Sequence, residues 1–239
     1  MKSLLTAIFI CVSLVVNAQI ETFQNLIFEN DTFNVFVVKY SNTVIPKFDI
    51  VENKLKIKHQ EFINKYKNER VFLINAGVNN PSGEPKGYYS KNGKQIKPVD
   101  LGSGTANFYL KPNGALLFLD SNVVICESSE ITKYKNVKLG IQSGAMLILN
   151  NIINQNFNIN SPNKQIRCGV GVYLKGNEQY MVFSISKNPI TFYKLAQLFQ
   201  EKYKSENALL LESSGCAMYF PRLQNNFNDV IGNYFLLKF

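Results

Sequence analysis

Apolar residues in this chain fall mostly in short continuous or alternating runs, so strands dominate the expected fold. Residues 33–40 alternate and then become continuously apolar, and 70–75 form a short run suited to burial on both faces. Runs at 107–110 and 115–119 flank Pro112-Asn113-Gly114, a hairpin signal because Asn and Gly accept the positive φ of a tight turn. Further strands are expected at 146–150, 169–174, 180–185, 208–211 and 233–239, with a turn at Lys175-Gly176-Asn177. The clearest helix follows Asn188-Pro189, where Asn caps and Pro suits the first turn, and Phe192, Leu195, Ala196, Phe199 and Tyr203 then share one face. A second helix is expected over 61–68. This pattern predicts an α+β domain with a mixed, mostly antiparallel sheet and two or three packed helices.

The beginning of the chain has a different pattern. Lys2 precedes an apolar stretch over 4–16, and Val16-Asn17-Ala18 supplies a small-residue cleavage context, so 1–18 is read as an export signal. Cys11 lies inside the apolar run, which argues against a lipid anchor. With no linker, charge block or repeat after it, residues 19–239 are expected to form one domain, exported to a periplasmic or extracellular space without stable membrane insertion.

Composition changes this picture mainly by exclusion. The net charge of +9 rests on 26 basic residues, of which only Arg70, Arg167 and Arg222 are arginines, and 30 residues are asparagine. The lysines are scattered, with no basic stripe interleaved with stacking aromatics, so no nucleic-acid partner is expected. A single histidine, His59, removes His-rich zinc sites and weakens any Ser-His-Asp scheme. It is expected on the surface of a lysine-rich helix. No phosphate-binding P-loop, dinucleotide fingerprint or EF-hand loop is present. Beyond the signal, Cys126, Cys168 and Cys216 form an odd set at no zinc spacing.

Chemistry-bearing clusters sit where expected strands end, the places at which a rigid sheet presents functional groups. They are Asn75-Ala76-Gly77, Gly102-Ser103-Gly104-Thr105, Gln142-Ser143-Gly144, Arg167 before Cys168-Gly169-Val170-Gly171, and Glu212-Ser213-Ser214-Gly215. A guanidinium grips phosphate or carboxylate bidentately, which makes Arg167 notable in a lysine-rich chain. Glu212 leaves a buried strand, a placement that shifts carboxyl acidity and makes it a candidate acid, base or nucleophile.

Taken in order, these segments resemble the phosphodiester glycosidase family, which includes the uncovering enzymes that remove N-acetylglucosamine from a mannose 6-phosphate diester. The resemblance runs from about residue 71 to the end. It rests on Leu73-Ile74-Asn75-Ala76-Gly77, the stretch from Gly104 to Gly114 with Asn107-Phe108, Gln142-Ser143-Gly144-Ala145-Met146-Leu147, Arg167-Cys168-Gly169-Val170-Gly171, Phe183-Ser184-Ile185-Ser186, and Asn207-Ala208-Leu209-Leu210-Leu211. It implies hydrolysis of a sugar 1-phosphodiester to free sugar and phosphomonoester. Glu212 and Arg167 are then the expected catalytic residues, and Asn75, Gly77, Gln142, Ser143, Gly144, Asn107 and Ser214 the expected substrate-binding ones. The ligand is a carbohydrate or sugar phosphate. No cofactor is required, although oxygen donors are compatible with a divalent cation. Asp100 is the runner-up for a second carboxyl, its first reading being a solvated loop residue. The family usually has Asp-Gly where this chain has Glu212-Ser213, so the competing reading is a catalytically impaired envelope protein that binds a glycan or sugar phosphate in the same pocket. If the loops converge, Cys168 and Cys216 are expected close enough to bridge as a disulfide.

Overall fold

The structure, a computed structural model, describes residues 21–213, 215–221, 223–224 and 227–239. The expected export signal and Ser214 lie outside them. Three sheets make up the fold, and every strand pairing among the described residues is antiparallel. The first sheet runs β1 (Glu21–Phe28), β2 (Asp31–Tyr40), β13 (Glu178–Ser186), β12 (Cys168–Lys175), β14 (Asn207–Glu212), β10 (Met146–Leu149) and β11 (Ile152–Ile153). The second runs β16 (Leu223–Gln224), β15 (Met218–Phe220), β4 (Val71–Asn75), β17 (Asn233–Lys238) and β3 (Asp49–Glu52). The third runs β6 (Lys94–Lys97), β5 (Tyr89–Lys91), β9 (Leu139–Ser143), β7 (Gly114–Phe118) and β8 (Val123–Glu127).

All three sheets contribute one face to a shared core. Phe36 and Phe183 from the first, Phe72 and Phe235 from the second, and Phe118 from the third meet there with Phe48. Phe36 stacks on Phe72 at 4.1 Å between ring centroids, and Phe48 lies 5.3 Å from both Phe118 and Phe183. Such ring pairs each add about 0.5–1.5 kcal/mol beyond the apolar area they bury. Strand periodicity sends the alternate residues outward, and each outer face acquires its own cover. Phe33, Val35 and Val37 of β2 face α2 (Phe192–Gln197), Val71 and Leu73 of β4 face α1 (His59–Ile63), and Ala115 and Leu117 of β7 face the 3₁₀ turn at Ser128–Lys133. Burial on both faces explains why β4 and β7 read as unbroken apolar runs.

Several local expectations are corrected. Residues 107–110 do not pair with β7. Asn107–Tyr109 is a 3₁₀ turn, and β7 pairs with β8 and β9 instead. The Asn113 amide closes back on the Phe108 carbonyl at 3.1 Å, and Pro112, which has no N–H, accepts the Met146 N–H, so this stretch folds as a compact loop. Thr191, not Asn188, caps α2, its Oγ1 accepting the Lys194 N–H at 3.1 Å. Asn188 ties Thr32 and Asp31 of β2 instead. The helix expected over 61–68 is α1 continued by a 3₁₀ turn at Asn64–Tyr66. His59 is buried, not exposed, because its ring stacks beside Tyr234 and its Nδ1 lies 3.0 Å from the Tyr234 hydroxyl.

The Gly169-Val170-Gly171 segment is a packing notch. A Cβ at Gly171 would lie 2.8 Å from Phe199 Cδ1 and 2.7 Å from Ser205 Oγ, so side-chain-free strand positions let the helical segment after α2 sit on β12. No helix among the described residues is long and apolar enough to cross a membrane.

Candidate functional site

β14 delivers Glu212 to the edge of the shared core, and the following loop returns as β15. Four of the expected site residues hold this loop or the end of β14 before it. Asn75, at the end of β4, accepts the Ala217 N–H at 2.7 Å through Oδ1 and donates Nδ2 to the Gly215 carbonyl at 3.3 Å. Ser143, at the end of β9, donates Oγ to the Leu211 carbonyl at 3.4 Å. Arg167 donates Nη1 to the Ser213 carbonyl. Glu212 itself accepts the Ser213 N–H at 2.7 Å and the Ser213 hydroxyl at 3.3 Å on Oε1. Gly215 takes the loop's left-handed position, φ 68°, which a side chain would strain.

Arg167 is only 1% exposed. Besides Ser213, its guanidinium donates to the Ile190 carbonyl at 3.4 Å and to the Asn163 carbonyl and Oδ1 at 3.2 and 3.1 Å, and it packs 4.1 Å from the Phe192 ring centroid. Burial lowers its pKa, and the nearby Cys216, Cys168 and Glu212 oppose that shift. Where a grip on ligand phosphate was expected, these donors meet protein acceptors under the Glu212 loop. Cys168 opposes Glu212 in the β12–β14 register, and the Cys216 thiol hydrogen-bonds with Cys168 and lies 3.4 Å from the Glu212 carbonyl. Burial pushes the Cys216 thiol well up, followed by the effect of Cys168. The two cysteines converge, but the expected bridge is not formed: Cys126, Cys168 and Cys216 are all thiols.

The open face of the loop borders a cleft of about 320 Å³. Glu212 and Asn75 line it together with Lys56, Asn79, Asn80 and Asp229. A larger cleft of about 550 Å³ lies near Tyr88 and Tyr134 on the outer side of the third sheet, but no expected site residue lines it. Chemistry therefore selects the smaller one. Gly77, two residues after Asn75, does not line the cleft: its φ is 77°, and a Cβ there would lie 3.1 Å from the Gln142 carbonyl, so the position suits a residue without a side chain.

The other expected residues gather away from this cleft. Gln142 is fully buried and uses its whole amide inside the protein. Oε1 accepts the Tyr88 and Asp100 N–H groups, both at 2.9 Å, while Nε2 donates to the Asp100 carbonyl at 2.7 Å and Ser128 Oγ at 3.0 Å. Where a contact with substrate was expected, the amide holds the loop around residue 100. Gly144 packs so closely that a Cβ would lie 2.3 Å from the Phe108 carbonyl oxygen, and Asn107 begins the adjoining 3₁₀ turn. Asp100 accepts the Gly102 N–H and the Tyr109 hydroxyl at 2.9 and 3.0 Å and does not line the cleft. The second carboxyl of the cleft is Asp229. Sequence reasoning missed it along with Lys56 and Asn79; the Asn79-Asn80-Pro81-Ser82-Gly83 turn after the Asn75 element was the available signal. Among the described residues, no three His, Cys, Asp or Glu side chains gather as a metal-binding group.

Comparison with known proteins places this geometry in context. Residues 68–228 match the phosphodiester glycosidase family. The uncharacterized protein YigE of Escherichia coli is 32% identical over 146 residues, covering 61% of this chain and 56% of the YigE sequence. Among solved structures, the catalytic domain of zebrafish N-acetylglucosamine-1-phosphodiester alpha-N-acetylglucosaminidase, auto-inhibited by its pro-peptide, superposes with a TM-score of 0.57 at 11% identity, covering 92% of this chain and 83% of that one. A hypothetical protein from Synechocystis superposes with a TM-score of 0.53 at 11% identity over 91% and 61% of the two chains. Both likenesses are likenesses of fold.

Proposed function

This chain belongs to the phosphodiester glycosidase family, and on that ground we propose that it is an exported hydrolase cleaving a sugar 1-phosphodiester to free sugar and phosphomonoester. The observation that carries the reading is the convergence of Glu212 and Asn75, from distant sequence elements, on one polar cleft. In this scheme Glu212 takes a proton from water as the oxygen attacks the sugar C1. The C1–O bond to phosphate breaks, and the bonding pair leaves with the phosphomonoester. A phosphate leaving group is already a stable anion, so the demand for a strong general acid is smaller than in ordinary glycoside hydrolysis. Asp229 supplies the second carboxyl. Arg167 keeps the loop backbone fixed and places a positive charge behind it.

A second reading has its own observation. Glu212 Oε1 is already engaged by the Ser213 N–H and by the Ser213 hydroxyl, a contact that a glycine at 213 would lack. On that reading the cleft binds a sugar phosphate without turning it over. The separating experiment follows sugar release from a synthetic N-acetylglucosamine 1-phosphodiester by wild type, Glu212→Gln and Arg167→Ala, with folding checked by circular dichroism. The hydrolase reading expects turnover in wild type and loss in both variants. Equal rates in all three would sink it, and saturable binding without turnover selects the binder.

A further inference from the structure

We propose that Lys56 is the phosphate-recognising residue of the cleft, with the Asn79 amide as its neighbouring donor. This inference rests on the proposed sugar-phosphodiester ligand. The strongest sequence candidate for that task, Arg167, is buried against protein carbonyls. Lys56 instead lines the cleft that contains Glu212, is exposed, and makes no ion pair with any described residue, whereas nearby Lys54 lies 3.6 Å from Glu52.

The backbone of Lys56 has an unusual conformation. Its φ is 50°, a left-handed position that a residue with a Cβ adopts at a cost, and such outliers gather at binding sites. Buried Asn53 holds it there. The Asn53 carbonyl accepts the Lys56 N–H at 2.9 Å, Oδ1 accepts the Ile57 N–H at 3.2 Å, and Nδ2 donates to the Ile57 and Ile231 carbonyls at 2.7 and 2.9 Å. The Asn53 N–H also donates to the Gly232 carbonyl at 2.7 Å. The turn carrying Lys56 is thereby fastened to the Ile231-Gly232 wall of the cleft.

Asn79 is set in the same wall. Its Oδ1 accepts from buried Asn233 Nδ2, which leaves Asn79 Nδ2 as a donor with no partner among the described residues. A Cβ on Gly232 would lie 2.9 Å from that nitrogen, so a glycine is what gives the amide its space. A monoanionic phosphodiester and a compact ammonium attract most strongly when water is partly excluded, as in such a cleft. The cleft's two carboxyls are both engaged in part: Glu212 Oε1 accepts from Ser213, and one Asp229 carboxylate oxygen accepts the Val230 N–H at 2.7 Å. Both Lys56 and Asp229 lie outside the 68–228 segment that matches the family, so ligand preference at the rim is supplied by this chain's flanking segments.

The test uses the full mature chain with three variants, Lys56→Ala, Lys56→Arg and Lys56→Gly. Calorimetry measures binding of N-acetylglucosamine 1-phosphate and of N-acetylglucosamine, and steady-state kinetics uses the synthetic phosphodiester. The expected result is about tenfold weaker binding of the phosphorylated sugar by the Ala and Gly variants, unchanged binding of the plain sugar, and partial recovery with Arg. KM rises while kcat holds, the mark of lost ground-state binding. Lys56→Gly should also raise Tm by about 2–4 °C, because glycine relieves the left-handed position while the ligand contact is lost. Unchanged binding of the phosphorylated sugar by Lys56→Ala, or equal weakening of both ligands, overturns the inference. Turnover with Lys56-indifferent binding refutes Lys56 and leaves the hydrolase reading standing. Lys56-dependent binding without wild-type turnover refutes only the hydrolase reading, and absence of both binding and turnover refutes both.

Discussion

Gln142 and Asn75 are both buried amides at the ends of motif-bearing strands, and each clamps a loop. Gln142 spends all of its hydrogen-bonding capacity on Tyr88, Asp100 and Ser128, away from the Glu212 cleft. Asn75 binds Gly215 and Ala217, borders that cleft, and keeps one N–H without an acceptor among the described residues. The difference teaches that a motif residue marks where a loop is fixed, while the groups that meet a ligand sit on what the loop carries. Arg167 follows the same rule on the cleft side.

The largest expected effect comes from removing the clamp that serves the cleft. Arg167→Ala removes the donor from the buried Ile190 carbonyl and from the Ser213 and Asn163 carbonyls, empties a buried side-chain site, and should cost about 4 kcal/mol in urea unfolding, with Arg167→Lys recovering less than half. A variant within about 1 kcal/mol of wild type would show that the guanidinium is free for a ligand after all. The two amides are separated by a pair of substitutions. Gln142→Leu should lose about 3 kcal/mol of stability yet keep kcat/KM within about threefold, whereas Asn75→Ala should lose less stability and about 100-fold in kcat/KM. If the two variants show the same pattern, the distinction between the clamps fails.

A smaller effect probes the rim. The His59 backbone N–H donates to the Asp229 carbonyl at 2.8 Å, and burial pushes the imidazole pKa down from 6.5 to about 4. The unfolded chain therefore takes up a proton before the folded one does. Stability should be full above about pH 6.5, fall by about 3 kcal/mol as pH drops to about 4, and lose nothing more through His59 below that. The component of the pH profile removed by His59→Phe measures it. A wild-type profile identical to that of the variant would place His59 in contact with water.

Much of this arrangement was legible in residues buried on both faces. The apolar runs of β4 and β14 and the Gly176-Asn177 turn between β12 and β13 gave strands whose ends proved to hold Asn75, Arg167 and Glu212. Polar edge strands were not legible: β6, Lys-Gln-Ile-Lys, is exposed and carries no burial pattern. Residue type announced that Gln142 and Arg167 mattered, but whether their donors meet a ligand or a carbonyl depends on tertiary contacts. Lys56 and Asp229 come from turns without a motif, and pairing of β17 with β3 and β4 brings their segments beside the Glu212 loop.

The most direct measurement compares kcat/KM for a synthetic N-acetylglucosamine 1-phosphodiester in Glu212→Gln and Asp100→Asn, both checked for folding. Only Glu212 lines the cleft, and Asp100 is turned to Gly102 and Tyr109. The account predicts at least about 1000-fold loss for Glu212→Gln, as expected when a reacting group is removed, and less than about threefold change for Asp100→Asn. A near-normal Glu212→Gln enzyme, or an Asp100→Asn enzyme that loses activity while Glu212→Gln keeps it, would contradict the placement of the reaction in this cleft.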